Sequence, residues 1–370
     1  MKLIKAGLND DEDLKAFFAD QVIEGAFDYS LERPHSFFDH YKLTTDDYVT
    51  FMLRDNKDEI QAMASILFKK AYINAQEQTV GYVTDLRVSK SRKATLTWGK
   101  EFVPAFLKER EERNCQYVFS ELEQYENIAY NTLLRRRNRS TRMPRYHLFR
   151  KFFLIAIYGR SLFADPPLEG IRIEYGRTED AEAIARYLRE KSVRRPLRYN
   201  FSSEELERRC RNWPNFSLQN FIIARNNEDK IIGCMAPWNN RDVQRIIPRK
   251  YREKSFTYFS TSNTLAPLGI TRPFPKTGDP FPLKHITHCA FDNADIFYSL
   301  IYKAYDDCKN REVLVYPNYY GDFAGRPPVS FMHIKIPYGF YSVLDNEAKL
   351  PTYLHPNPFE PSPDFQLSHF

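Results

Sequence analysis

The sequence predicts an α/β (α+β) protein built as two consecutive domains, residues 1–162 and 171–370, joined by a linker over 163–170. Three observations lead there. A chain of 370 residues exceeds what one hydrophobic core usually organises, so two domains of roughly 150 to 200 residues each are expected. Through residues 1–162, strand and helix periodicities alternate in the order β-α-α-β-β-β-α-β-α-β. After the proline-containing linker Phe163-Ala164-Asp165-Pro166-Pro167-Leu168-Glu169-Gly170 the opening of that order begins again.

Leu3 to Ala6 reads as a short strand. Asp10-Asp11-Glu12-Asp13 places acids in the first turn of a helix reaching about Glu24, where they complement its dipole. Pro34 to Tyr41 reads as a second short helix. Asp47 to Arg54 and Ile60 to Asn74 are apolar, β-rich runs around the polar turn Asp55-Asn56-Lys57-Asp58, which predicts a hairpin. Thr79 to Val88 continues the sheet, Phe102 to Arg113 is an amphipathic helix, Gln116 to Leu122 a strand, Asn127 opens a further helix, and Tyr146 to Tyr158 closes the unit.

In the second unit Ile171 to Tyr175 alternates as a strand. Thr178 to Leu188 is a helix with a Thr cap and first-turn acids. Ser202 or Ser203 caps a helix through Asn212, and Phe221 to Arg225 with Lys230 to Ala236 forms a hairpin across Asn226-Asn227-Glu228-Asp229. An insertion at about 240–282, aromatic and Pro-rich from Arg249 to Pro282, precedes a strand at His285 to Phe291. Ala294 to Lys309 is the next helix and Glu312 to Tyr316 the next strand. Val329 to Leu344 reads as a terminal pair of strands joined near Pro337-Tyr338-Gly339, before a Pro-rich tail.

The composition is that of a globular protein, 42% hydrophobic and 28% charged with 15% aromatic residues, and only 13 glycines, which excludes repetitive or linker-rich architecture. Five scattered cysteines without C-x-x-C spacing fit free thiols in a reducing compartment and argue against a zinc site. The N-terminus has neither signal-peptide nor membrane-spanning character, so a cytoplasmic location is expected. The formal charge of +6 is uneven: Arg135 to Lys151 carries seven arginines and one lysine with no acid. That field suits an anionic partner or a solvated loop.

The most informative stretch is Thr84-Asp85-Leu86-Arg87-Val88 followed by Ser89 to Thr97, a strand running through a basic turn into a helix. Such a turn leaves the helix's first N–H groups without partners at the positive end of its dipole, where a pyrophosphate can sit. Asp85, Leu86, Val88 and Arg92 resemble the signature of the GCN5-related N-acetyltransferase (GNAT) superfamily of acyl-CoA N-acyltransferases, an acidic-Leu-x-Val strand followed by Arg/Gln-x-x-Gly-x-Gly/Ala at the helix start. Thr95 and Thr97 stand where the family has small residues, so the motif is degenerate. Asn127 matches the Asn heading the family's next helix, but Leu134 stands where a Tyr often protonates the departing thiolate. The second unit has Asp292-Asn293-Ala294-Asp295 at the corresponding junction and lacks the motif.

The resemblance covers most of the chain as two GNAT-like copies, each with a mixed, mostly antiparallel sheet flanked by helices. It implies acetyl-CoA or another acyl-CoA as co-substrate, with Leu86, Val88, Arg92, Lys93, Ala94, Thr95, Leu96, Thr97 and Asn127 at the donor, no metal, and an amine-bearing small molecule or protein as acceptor. Asp85, or Glu121 and Glu123 on the next strand, would remove the amine's proton; each is equally a carboxylate paired with a neighbouring cation. Tyr125 and Tyr130 flank Asn127 and are candidates for the missing acid. His285, His288 and Cys289 read as strand residues rather than ligands or nucleophiles. Arg135, Arg136, Arg137, Arg139, Arg142 and Arg145, interleaved with Tyr146, His147 and Phe149, suit CoA's 3′-phosphate or a tRNA backbone. Two rival readings share these residues: an aminoacyl-tRNA-dependent transferase of the Fem type, and a non-catalytic pseudo-acetyltransferase acting as a binding module.

Overall fold

The computed structural model describes residues 1–124, 134, 144–164, 170–199, 201–309, 311–345, 348–357 and 360–364. In chain order the elements are β1 (Lys2–Lys5), α1 (Asp11–Asp20), β2 (Ile23–Glu24), β3 (Asp28–Glu32), α2 (Asp39–Lys42), β4 (Tyr48–Arg54), β5 (Ile60–Ile73), β6 (Gln76–Val88), α3 (Arg92–Glu112), β7 (Tyr117–Glu123) and β8 (Arg145–Arg160). The second half supplies β9 (Arg172–Tyr175), α4 (Ala181–Ser192), α5 (Ser203–Asn212), β10 (Ile222–Arg225), β11 (Ile231–Trp238), β12 (Arg245–Lys250), α6 (Glu253–Leu265), β13 (Leu283–Phe291), α7 (Ala294–Asp306), β14 (Val313–Tyr319) and β15 (Phe331–Leu344).

Twelve strands form one sheet in the order β1-β4-β5-β6-β7-β15-β8-β14-β13-β11-β10-β9. Only β6/β7 and β13/β14 run parallel; the other pairs are antiparallel. The order reads alike from either edge, and at its centre the last strand of the chain, β15, lies between β7 and β8 of the first half. A second sheet, β12-β3-β2, joins the insertion to the first half.

Helices cover the large sheet wherever their apolar stripes match it. Trp98, Phe102 and Phe106, four residues apart on α3, stack at 4.5 and 5.9 Å and bury against Phe51, Ile66 and Phe68. On α7 the buried Ile296, Phe297, Leu300, Ile301 and Ala304 meet Ile155, Ile157 and Met235. Because helices lie on both faces of its middle, β5 reads as an almost continuous buried run from Ala62 to Phe68 rather than an alternation.

Three local expectations change. The first helix stops at Asp20, and Glu24 lies in the β2–β3 hairpin. Residues 34–38 form a turn, because Asp11 Oδ1 accepts from Ser36 Oγ at 2.7 Å and Phe37 N at 2.9 Å; helix begins only at Asp39. The C-terminal pair of strands is one strand of 14 residues, carried past Pro337 with bulges at Met332/His333 and Phe340/Tyr341. Gly339 is not a turn residue: a Cβ there would stand 2.5 Å from the Tyr341 ring.

Candidate functional site

Strands β6 and β7 pair only at Val80↔Tyr117, Gly81↔Val118 and Tyr82↔Phe119, then diverge. The divergence follows from a bulge: Ser65 of β5 faces Thr84 and Met63 faces Arg87, leaving one residue too many on β6. Asp85 absorbs it with φ 56°, a left-handed conformation that short polar side chains tolerate and β-branched ones do not. Below the opening lies a cavity of about 970 Å³, lined by Tyr82 to Arg87 and Ser120 to Glu123 from the first half, by residues of the insertion, and by Leu283, His285, Val313 and Val315 from the second.

The five acidic or tyrosine positions that the sequence points to have different fates here. The Asp85 side chain is 7% exposed and ion-paired with Arg33 Nη2 at 2.6 Å, while Tyr41 Oη donates to the same oxygen at 2.6 Å. Arg33 is itself enclosed by the rings of Phe18, Phe37 and Tyr41 at 4.7, 4.3 and 4.8 Å and donates to Gln244 and the Phe37 carbonyl. Burial alone would raise the Asp85 carboxyl, but Arg33 beside it holds it below the usual range. A carboxylate so held is a poor proton acceptor, and the ion pair sits at the bulge itself.

Glu121 is different. It faces the cavity, Tyr82 bonds to its carboxyl, and Oε2 is buried without a hydrogen-bond partner. Burial pushes this carboxyl well above the ordinary range, with Tyr82 and Lys69 opposing only in part, which favours its neutral form. Glu123, 4% exposed, accepts from Ala26 N at 2.6 Å and from the hydroxyls of Tyr29 and Tyr338, and so clamps the β2–β3 hairpin. Tyr125 and Tyr130 lie outside the described residues, as do Asn127, Arg135, Arg136, Arg137, Arg139 and Arg142; Arg145 begins β8.

The strand-to-helix turn is present, but shifted. Helix α3 starts at Arg92 with Ser91 as N-cap, its Oγ accepting from Ala94 N at 3.3 Å. Thr95 N and Thr95 Oγ1 both donate to the Ser91 carbonyl, at 3.1 and 3.2 Å. Thr95, Leu96 and Thr97 are therefore helical positions and not part of a cradle; Leu96 is 66% exposed. The first-turn N–H groups of Arg92 and Lys93, whose side chains are exposed, remain as the anion-facing end. Leu86 and Val88 pack into the core under α3.

The second half repeats this geometry with other residues. Strands β13 and β14 pair from Leu283↔Val313 to His285↔Val315 and then part, β13 bulges against β11, and His288 sits at the bulge with φ 49°. His288 bonds Arg209 at 2.9 Å, and Arg209 lies among Tyr199, Phe201 and Trp213. Here the opening holds only about 110 Å³ and is lined by Ser362, Pro363 and Asp364 of the chain's own tail. Asn293 caps the following helix, with Asp295 in its first turn, an arrangement that repels anions.

Sequence reasoning missed the aromatic wall of the large cavity. Phe27 at the hairpin packs on Tyr251 and Phe281 at 5.9 and 5.6 Å, and Phe281 on Phe274 at 5.3 Å. Arg252 ties α6 to the hairpin through Asp28 Oδ1 at 2.6 Å and Glu24 Oε2 at 3.0 Å. The composition of the insertion was the available signal; its packing partner, Phe27, lies more than two hundred residues away and carried none. Among the described residues no group of three His, Cys, Asp or Glu is placed to hold a metal, and no helix is long and apolar enough to cross a membrane.

No protein-family model matches the chain, and no curated protein matches it in sequence. Solved structures do match in fold. Saccharomyces cerevisiae N-myristoyltransferase with bound myristoyl-CoA and inhibitors aligns with TM-score 0.57 and 11% identity over 93% of this chain and 80% of that one. A second structure of that enzyme with bound myristoyl-CoA gives 0.55 and 12% over 97% and 83%. The GCN5-related glucosamine N-acetyltransferase region of a fungal multi-domain GH3 β-N-acetylglucosaminidase gives 0.54 and 11% over 92% of this chain and 38% of that one. With its two diverging parallel pairs and a mostly antiparallel sheet flanked by helices, this chain shares the fold of the Saccharomyces cerevisiae N-myristoyltransferase structures.

Proposed function

We propose that the protein transfers an acyl group from acyl-CoA to an amine at the opening between β6 and β7. The observation that carries this reading is the divergence of these strands over a large cavity lined by Glu121, whose carboxyl burial shifts toward the neutral form. Beyond Tyr82 no strand among the described residues pairs with the edge of β6 facing β7, and the two amides of a pantetheine arm can bond there as an added strand would. Arg92 and Lys93 at the start of α3 suit the phosphates.

In the step itself, the neutral amine attacks the thioester carbon. The N–C bond forms, the C–S bond breaks, and the amine's proton must leave as the thiolate gains one. Glu121 donates its proton to sulfur and takes the amine's, ending as it began. Asp85 does not compete for this role, because Arg33 and Tyr41 already hold it. Most of the acceleration would come from holding thioester and amine together in a space that excludes water.

The test is a melting series with acetyl-, octanoyl- and myristoyl-CoA, followed by mass spectrometry of an amine panel incubated with whichever donor binds. A donor at 100 times its Kd should add about 2.7 kcal/mol of stability. If no acyl-CoA shifts the melting temperature and no acylated amine appears, the proposal is wrong.

A further inference from the structure

The chain's own tail closes the second opening, and its hold there is slight. The root of the tail is fixed: Leu354 is 2% exposed in the core of the first half, the Tyr353 hydroxyl bonds that of Tyr117, and Arg150 Nη1 donates to the His355 carbonyl at 3.2 Å. Beyond His355 the chain carries Pro356, Pro358, Pro361 and Pro363, which have no N–H to offer a neighbouring strand. Among the described residues, two polar links join residues 360–364 to the body of the fold. Glu360 Oε2 ion-pairs with Arg150 Nη2 at 2.6 Å, and Asp364 N donates to the Pro196 carbonyl at 2.9 Å. Burial raises the Asp364 carboxyl above the ordinary aspartate range, with Arg195, Lys69 and Arg209 opposing only in part, so the seated tail does not fully satisfy its own acid. Beside it about 110 Å³ stays unfilled, lined by Arg195, Thr287, His288 and Cys289.

The ion pair is the latch, and its two members differ. The Glu360 side chain is 47% exposed, whereas that of Arg150 is 4% exposed, with Nε buried and without a partner and the guanidinium 4.3 Å from the Phe149 ring centroid. No other described carboxylate ion-pairs with Arg150, so a tail that simply left would strand a buried charge. An anion that pairs with the guanidinium removes that obstacle. Phosphate suits this exchange best, because its oxygens fit the same forked donor and its charge near neutral pH exceeds that of a carboxylate.

We propose that residues 360–364 are a phosphate-operated strap: paired with Arg150 through Glu360 they keep the opening between β13 and β14 shut, and a phosphate group that takes Arg150 releases them. This is independent of acyl transfer, which is assigned to the other opening.

Iodoacetamide labelling of the full chain, read by mass spectrometry at each cysteine, tests it with inorganic phosphate as the probe. Cys289 lines the covered opening, and burial pushes its thiol up to about 12, where it reacts slowly. Cys115, 4% exposed in the core beneath α3, reports general loosening. Phosphate should speed Cys289 labelling by about fivefold over chloride at equal ionic strength and leave Cys115 unchanged. In Glu360→Gln, Cys289 should label about tenfold faster than in the parent without phosphate, and phosphate should then add less than about twofold. Equal Cys289 rates in phosphate and chloride, or a parallel rise at Cys115, overturn the proposal in the unaltered chain, with no variant needed. A Glu360→Gln chain whose Cys289 stays as slow as the parent's overturns it as well.

Discussion

Replacing Arg33 with Met tests whether its ion pair with Asp85 holds the β6 bulge in place. Arg33 Nη2 lies 2.6 Å from Asp85 Oδ2, and the guanidinium is wholly enclosed by Phe18, Phe37 and Tyr41. Arg33→Met leaves the Asp85 carboxylate buried beside Tyr41 with its countercharge gone, and removing one partner of such a pair typically costs about 3–5 kcal/mol. At roughly 2–4 °C per kcal/mol for a chain of a few hundred residues, the melting temperature should fall by about 10 °C. Arg33→Met with Asp85→Asn should recover part of that loss, since no charge is then stranded. Thermal melts and urea titrations of the two single variants and the double complete the cycle. A loss under about 1 kcal/mol for Arg33→Met, or a double variant weaker than both singles, would refute the argument that this pair fixes the bulge. The linkage also has a sign: the Asp85 carboxyl is lowered in the fold, so its contribution is present above the ordinary aspartate range and disappears as pH falls through the folded value.

Glu121→Gln should lower kcat by about 10²- to 10⁴-fold while acyl-CoA still shifts the melting temperature, as measured by paired turnover and melting assays. Because burial raises the Glu121 carboxyl in the fold, the native chain holds more protons than the unfolded one; that stability is full below the ordinary glutamate range and is lost as pH rises through the folded value, so Glu121→Gln should melt higher than the parent at pH 8 and alike at pH 4. Thr95→Gly with Thr97→Gly should destabilise by only about 0.5–1 kcal/mol in urea and leave CoA affinity unchanged, since both positions are helix rather than cradle. Gly25→Ala would place a Cβ 2.6 Å from the Glu123 carboxylate oxygens, and should loosen the hairpin by about 1–3 kcal/mol, visible as faster amide exchange over 23–32.

Much of the fold could be read from local pattern. The hairpin at Asp55 to Asp58, the Ser202 cap and the strand Gln116 to Leu122 follow from nearest-neighbour chemistry, and the structure has them within a residue or two. What could not be read was set at long range. Asp85 carries no mark of its partner, because Arg33 stands fifty-two residues away, just ahead of the segment Pro34 to Tyr41 that reads as a helix. Glu121 and Glu123 share a strand, a residue type and a cavity, yet Glu121 Oε2 has no hydrogen-bond partner while Glu123 accepts from Ala26, Tyr29 and Tyr338; only the third dimension distinguishes them. Pro337-Tyr338-Gly339 has the composition of a turn, but Tyr341 and two flanking strands made it continuous strand.

The place of β15 also bears on how the chain is made. Strand β7 has left the ribosome long before its neighbour Phe331–Leu344 is synthesised, since the 170 residues between β8 and β15 come first. At about 5–20 residues per second that interval is roughly 10–35 s, during which β7 and β8 each present an unpaired edge. The nascent first half therefore needs either a chaperone or a temporary partner for those edges. A truncated message ending before residue 331 would yield a product prone to self-association rather than a smaller working protein.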